Sequence, residues 1–259
     1  MDSVELLITG PVARLTLNRP SVKNALRPSD WQLLRSHTKA IKAAGARVIV
    51  LDGAAGVFST GGDLKTMPER LQLAYEPRLD QLKADGAALV DLMDLNLPIV
   101  SLIDGWCSGA GLALALLGHL RLATEASRFS APFLKVGLTG DFGTRYLLER
   151  AIGVSRTTAM FLLGTTHDGR SAEQIGLVHR VLPDRDTLQR EGAAVVETLL
   201  EHPPLALTSV LAALSGKPEQ LADAIAWDAR EQALCSQTHD AKEGVAAFLA
   251  KRAPRFTGE

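Results

Sequence analysis

Cysteine is nearly absent, with only Cys107 and Cys235 in 259 residues. Two thiols this far apart build no disulfide framework and no Cys-x-x-Cys metal pattern. Aromatic residues make up 5% of the chain, too few for a base-stacking surface. The formal net charge is −1 and there is no basic block, which argues against non-specific nucleic-acid binding. Apolar runs such as Leu112–Leu117 fall well short of the roughly 20 residues of a membrane span. The segment Met1-Asp2-Ser3-Val4-Glu5 has neither the basic region nor the apolar core of a secretory signal. A reduced, soluble, cytoplasmic protein is expected, with no membrane, nucleic-acid or metal partner.

A composition of 46% hydrophobic and 22% charged residues is that of an ordinary globular chain, long enough to bury one full core. Glu5–Thr9 and Val12–Leu17 read as strands joined by the turn pair Gly10-Pro11. Ser29 reads as the N-cap of a helix with Trp31, Leu34, His37 and Ile41 on one face. Arg47–Leu51, Pro98–Ile103, Leu120–Ala123 and Val178–Val181 are further strand candidates. Strands separated by helices imply parallel connections and an α/β core. From about Gly140 onward helices dominate: Arg145–Ile152, Ser155–Leu163, Ala172–Ile175, Asp186–Leu200, Leu205–Leu214, Pro218–Leu234 and Asp240–Lys251. The expected division is a core over 1–195 and a helical C-terminal region over 196–259.

Two glycine-rich turns carry the chemistry. Phe58-Ser59-Thr60-Gly61-Gly62-Asp63-Leu64 follows a strand, and adjacent glycines let a backbone approach a ligand with its amides exposed. A plain tight turn explains it equally well. It is not a P-loop, because no Gly-Lys-Ser/Thr follows. Asp104-Gly105-Trp106-Cys107-Ser108-Gly109-Ala110-Gly111 joins a buried strand to an apolar helix and leaves helix-start amides unobstructed. It lacks the third glycine of a dinucleotide site, and there is no Gly-x-Ser-x-Gly elbow. Ser108 therefore reads as a turn residue and Cys107 as buried packing. Together, two amide-presenting turns suggest an oxyanion hole for a carbonyl oxygen.

With the motif Leu17-Asn18-Arg19-Pro20-Ser21-Val22-Lys23-Asn24-Ala25-Leu26, the Ala172…Gly176-Leu177-Val178 stretch and the tail from Glu243-Gly244 through Phe248, Lys251-Arg252 and Pro254-Arg255-Phe256, the chain resembles the crotonase (enoyl-CoA hydratase/isomerase) family over nearly its whole length. The resemblance implies an α/β fold: a crotonase-like (ββα) core spiral with a helical C-terminal trimerisation region, assembled as a homotrimer or dimer of trimers. It implies an acyl-CoA substrate, with coenzyme A as part of the thioester and no other cofactor. The oxyanion-hole amides would be those of Gly62 and Ala110. Lys23, Ala25, Leu26, Thr60, Gly61, Asp63 and Leu64 would line the CoA site, and Phe248 and Lys251 on the last helix would reach CoA, often across a subunit boundary.

The departures bear on the reaction. Hydratases of this family carry two glutamates, and here their places hold Ala113 and Phe133. Neither moves a proton, so two-glutamate hydration is unavailable. The acyl pocket expected from Ala113, Phe133 and Trp106 is apolar. The remaining acid is Asp141 in Gly137-Leu138-Thr139-Gly140-Asp141-Phe142-Gly143, where isomerase-type and dehalogenase-type relatives carry a catalytic aspartate. A helix N-cap is its plainer explanation. The readings that follow are an enoyl-CoA isomerase with Asp141 as acid and base, a hydratase with an atypical acid, an aryl-CoA dehalogenase-type nucleophile, or a non-catalytic acyl-CoA-binding protein. His119 reads as a junction histidine; Arg145 and Tyr146 could face the pocket.

Overall fold

The structure is a computed structural model that describes residues 2–66, 69, 70, 72–215, 238–240, 243, 247, 250 and 252–259. The turn at Gly10-Pro11 folds β1 (Val4–Thr9) antiparallel onto β2 (Val12–Leu17), pairing Val4 with Leu17 and Thr9 with Val12. Parallel pairing then adds β3 (Val48–Gly53), β4 (Ile99–Ile103), β6 (Leu120–Thr124) and β9 (Arg180–Leu182), giving a sheet of order β1-β2-β3-β4-β6-β9. Every residue of β3 and β4 is buried, as expected where both faces of a parallel sheet are covered.

The two faces divide by the period-2 alternation of side chains. Val48, Val50, Val100 and Leu102 point to α6 (Arg185–Leu200) and pack with its Leu188 and Val196. Ile49, Leu51, Ile99 and Ile103 point the other way, into a core shared with α1 (Pro28–Ala43), α2 (Tyr75–Met93) and α3 (Ala110–Leu116). α6 runs unbroken through position 195.

A second sheet, β5 (Trp106–Ser108), β7 (Arg128–Ser130) and β8 (Thr166–Asp168), was not expected from the sequence. Its strands have three residues each, too short to show a period. α1 begins at Pro28 with Arg27 as N-cap, so Ser29 is already helical. The capping carboxylate is that of Asp30, which accepts the Arg27 N–H at 2.7 Å. The two helices expected at Arg145–Ile152 and Ser155–Leu163 are the halves of α4 (Thr144–Leu162), broken at Gly153 by φ 77°, ψ 163°. α5 (Gly169–Gln174) and α7 (Pro204–Ser215) complete the described helices. The helix expected over 218–234 lies outside the described residues, as does most of that over 240–251. Among the described residues no helix is long and apolar enough to cross a membrane.

Candidate active site

Ser59 joins the two glycine-rich turns. Its N–H donates to Trp106 O at 2.8 Å, and Ser108 N–H donates back to Ser59 O at 2.9 Å. Its hydroxyl donates to Asn24 O at 2.8 Å and accepts the Gly61 N–H at 3.1 Å. Gly61 has φ 94°, and a Cβ there would sit 2.8 Å from Ser108 O and 3.4 Å from Ala110 N. Glycine is what lets the Thr60–Gly62 backbone lie directly against the Ser108–Ala110 backbone.

This contact sets two amides side by side. Leu26 N–H takes Gly61 O and Asp63 N–H takes Leu26 O, both at 2.8 Å, leaving the Gly62 N–H between them without a backbone partner among the described residues. Ala110 is the first residue of α3, and a helix supplies no acceptor for its first N–H groups. Gly62 and Ala110 line the same cavity, of about 650 Å3.

The N-terminal motif is clamped onto these turns. Lys23 and Asn24 have φ of 53° and 54°. The buried Asn24 amide donates to Ala54 O at 3.1 Å and Val57 O at 2.6 Å and accepts the Arg19 N–H at 2.8 Å. Thr60 N–H donates to Lys23 O at 3.1 Å. Arg19 reaches Ala25 O at 2.6 Å and Asp63 Oδ2 at 3.0 Å. Burial pushes the Asp63 carboxyl up, but hydrogen bonds from Arg19 and the Lys65 amide, with both positive charges, hold it below its ordinary range. Asp63 thus stays ionised as a brace.

Asp141 lines the same cavity. Its neighbours Gly140, Phe142 and Gly143 have φ of 101°, 53° and 67°, a run of left-handed backbone before α4. Phe142 is held in that conformation by stacking on Trp31, with ring centroids 4.3 Å apart. The N-cap of α4 is Gly143, with no side-chain cap. It is the Asp141 main-chain carbonyl that accepts from Thr144 N at 3.0 Å and Thr144 Oγ1 at 2.7 Å. The N-cap explanation of the Asp141 side chain therefore fails. Its Oδ1 is buried with no hydrogen-bond partner. Burial pushes the carboxyl up to about 6, against the pull of Arg70 and Arg78 and with a small push from Asp85.

A profile of enoyl-CoA hydratase/isomerase sequences matches residues 8–259. The chain belongs to the crotonase family. It is 34% identical over 250 residues to 2,3-dehydroadipyl-CoA hydratase of Escherichia coli K12, covering 95% of each chain. It is 31% identical to trans-2-decenoyl-[acyl-carrier-protein] isomerase of Streptococcus mutans, over 100% of both. The crystal structure of an enoyl-CoA hydratase from Bacillus anthracis superposes with a TM-score of 0.91 at 25% identity, covering 100% of each chain.

Within this crotonase, the structure brings Lys23, Ala25, Leu26, Thr60, Gly62, Asp63, Leu64, Ala110, Phe133 and Asp141 to the lining of one cavity. Gly61 stands behind it as support. Ala113 and Trp106, expected in the acyl pocket, are not part of that lining. Ala113 is fully buried inside α3, its methyl ending in the core. Trp106 alternates with the buried Cys107 along β5, which turns its ring to the exposed side. Phe248 and Lys251 lie outside the described residues.

Arg70, Trp31, Phe142 and Lys135 also line the cavity. Trp31 read as a core position of α1, and Arg70 lies in a charged stretch with no motif, so no local signal marked either. The thiol of Cys107 is pushed up by burial, and the Ser108 hydroxyl faces Ser130 Oγ at 2.9 Å. Neither is set up as a nucleophile. His119 Nδ1 accepts the Ile99 N–H at 3.1 Å, the junction role expected of it.

Proposed function

We propose that this crotonase-family chain is an enoyl-CoA isomerase in which Asp141 is the single acid and base. The observation that carries the reading is that Gly62, Ala110 and Asp141 line one cavity, the first two with main-chain amides that have no partner among the described residues and the third with a buried, unpartnered carboxylate oxygen. The N–H groups of Gly62 and Ala110 receive the thioester oxygen and stabilise the enolate that forms on proton removal. Ionised Asp141 takes a proton from carbon; the C–H electron pair moves into the enolate, the double bond shifts, and protonated Asp141 returns the proton to a second carbon. A carboxyl near pH 6 suits both halves, being mostly ionised at neutral pH yet acidic enough to give the proton back. Hydration needs a second group to hold and activate water, and the places of the two hydratase glutamates hold Ala113 and Phe133.

Lys23, Ala25, Leu26, Thr60, Asp63 and Leu64 are assigned to the CoA portion, with Phe248 and Lys251 completing it in a homotrimer or dimer of trimers. A second reading, hydration with Asp141 as lone acid, is supported by the hydratase named among the relatives. Product analysis in D2O separates the two. Isomerisation moves the double bond of a 3-enoyl-CoA without adding water, and carbon gains deuterium only to the extent that protonated Asp141 exchanges with solvent before returning its proton. Hydration of crotonyl-CoA at about 10³ per second, the pace of an efficient enzyme, overturns the isomerase reading.

A further inference from the structure

Beyond the groups assigned so far, one buried cation faces the cavity. Arg70 lines it together with Asp141, Gly62 and Ala110, and its side chain is only 11% exposed. Its ion-pair partner is Asp85 of α2, with Nη2 and Oδ2 3.7 Å apart, beyond hydrogen-bond reach. Arg70 Nε and Asp85 Oδ2 are both buried without a hydrogen-bond partner. Two opposite charges have been taken out of water without completing the bonds that normally compensate for it.

The neighbouring Arg78 donates to Gln81 Oε1 at 2.7 Å and, among the described residues, has no carboxylate within ion-pair distance. Two guanidiniums thus stand against Asp85 and Asp141. When Asp141 carries the substrate's proton, the cluster has one positive charge in excess. Burial lowers the pKa of Arg70 and raises that of Asp85, as expected of an incompletely satisfied pair.

We propose that Arg70 is the acyl-group receptor of this cavity, and that the acyl chain it selects carries an oxygen acceptor, a carboxylate or a carbonyl, beyond the reacting carbons. The proposal rests on reading the cavity as an acyl-CoA site. The planar guanidinium presents several donors in a fixed fork that matches such an oxygen. A purely hydrocarbon acyl chain offers the guanidinium no acceptor and leaves the buried Arg70 Nε still unsatisfied. Sites that hold a buried polar group for a substrate oxygen reject analogues lacking it far more strongly than apolar sites discriminate by size.

The test uses saturated acyl-CoA thioesters, which can be neither isomerised nor hydrated, so the result does not depend on the role of Asp141. Calorimetry compares methyl-ended, keto-bearing and carboxylate-ended thioesters over a graded series of chain lengths, with free CoA as reference. At the matching length the parent protein is expected to bind the carboxylate-ended thioester, the keto-bearing one or both at least about tenfold more tightly than the methyl-ended one. Comparing those two arms tells which oxygen is read. In Arg70→Met the preference disappears while affinity for free CoA and for the methyl-ended thioester is kept. Asp141→Asn retains the preference. Absence of preference in the parent protein at every length overturns the proposal. So does an Arg70→Met protein that loses affinity for all ligands alike, free CoA included. Should Arg70→Met fail to fold, the ligand series on the parent protein decides alone.

Discussion

Asp141 sits where a carboxylate is expensive to keep ionised, and that cost has measurable consequences. Its carboxyl is raised to about 6 by burial, against about 3.9 for a free aspartate. A raised folded-state value means the folded protein holds the proton more tightly than the unfolded chain. The associated stability is present below about pH 4 and is lost as pH rises through 6. At two pKa units this amounts to at most about 3 kcal/mol at neutral pH. Asp141→Asn removes the ionisation, so its melting temperature is expected to exceed the parent's at pH 7.5, with the gap closing below pH 4. The same substitution removes the base, and turnover is expected to fall at least about a hundredfold with acyl-CoA affinity kept. A variant that is both more stable and inactive marks a functional group held against the fold's interest. The parent's kcat/KM is expected to fall about tenfold per pH unit below 6, as Asp141 protonates. Arg70→Met, which removes a cation that pulls this carboxyl down, moves that limb to higher pH. A pH-independent rate between 4 and 7 would contradict the assignment.

The site exists because short elements are locked against one another by backbone, not side chain. Gly61 is the tightest point, since a Cβ there would press on Ser108 O at 2.8 Å and φ is 94°. Gly61→Ala must push the two turns apart or twist one of them. The Gly62 and Ala110 amides then no longer converge, and a loss of about a hundredfold in turnover is expected, the usual scale for one oxyanion donor. Near-parent turnover in a folded Gly61→Ala protein would show that the two turns do not form one hole. These turns were legible in the sequence because a positive φ demands glycine and leaves a visible mark. So was the main sheet, whose fully buried strands read as largely apolar runs, interrupted only by Asp52 and Gly53 at the end of β3 and by Ser101 within β4. The second sheet was not, since Trp106–Ser108, Arg128–Ser130 and Thr166–Asp168 are defined by partners remote in the chain. Arg70 escaped notice for the same reason: its significance comes from Asp85 and Asp141, 15 and 71 positions away. The freedom of the Asp141 side chain from capping was also invisible, because it depends on which of two oxygens, carbonyl or carboxylate, meets Thr144.

At the scale of the whole molecule, the distribution of exposed apolar side chains carries information beyond the single chain. The sheet is covered on both faces, by α6 on one and by α1, α2 and α3 on the other. Val154, Leu162 and Leu163 at the second half of α4, and Leu205, Val210 and Leu214 on α7, are nonetheless exposed. α7 buries Leu211 but leaves most of its other large apolar side chains uncovered. Apolar surface concentrated on particular elements, rather than scattered singly, marks association surfaces. Symmetric assembly of identical chains is the commonest way to cover it, and we propose that α7 and the end of α4 pack against other copies in a homotrimer or dimer of trimers. Sedimentation velocity at micromolar concentration is expected to give three or six times the 27.7 kDa chain mass. Leu205→Asp combined with Val210→Asp places two charges at exposed positions of α7, neither of which lines a cavity with Asp141. The pair is expected to shift the mass toward one chain while circular dichroism keeps the parent's secondary structure. Burial of each unpaired carboxylate at an apolar contact opposes association, whereas on a surface open to water neither charge costs much. A parent protein sedimenting as a single chain, or a double variant that assembles like the parent, would mean that α7 is covered in some other way.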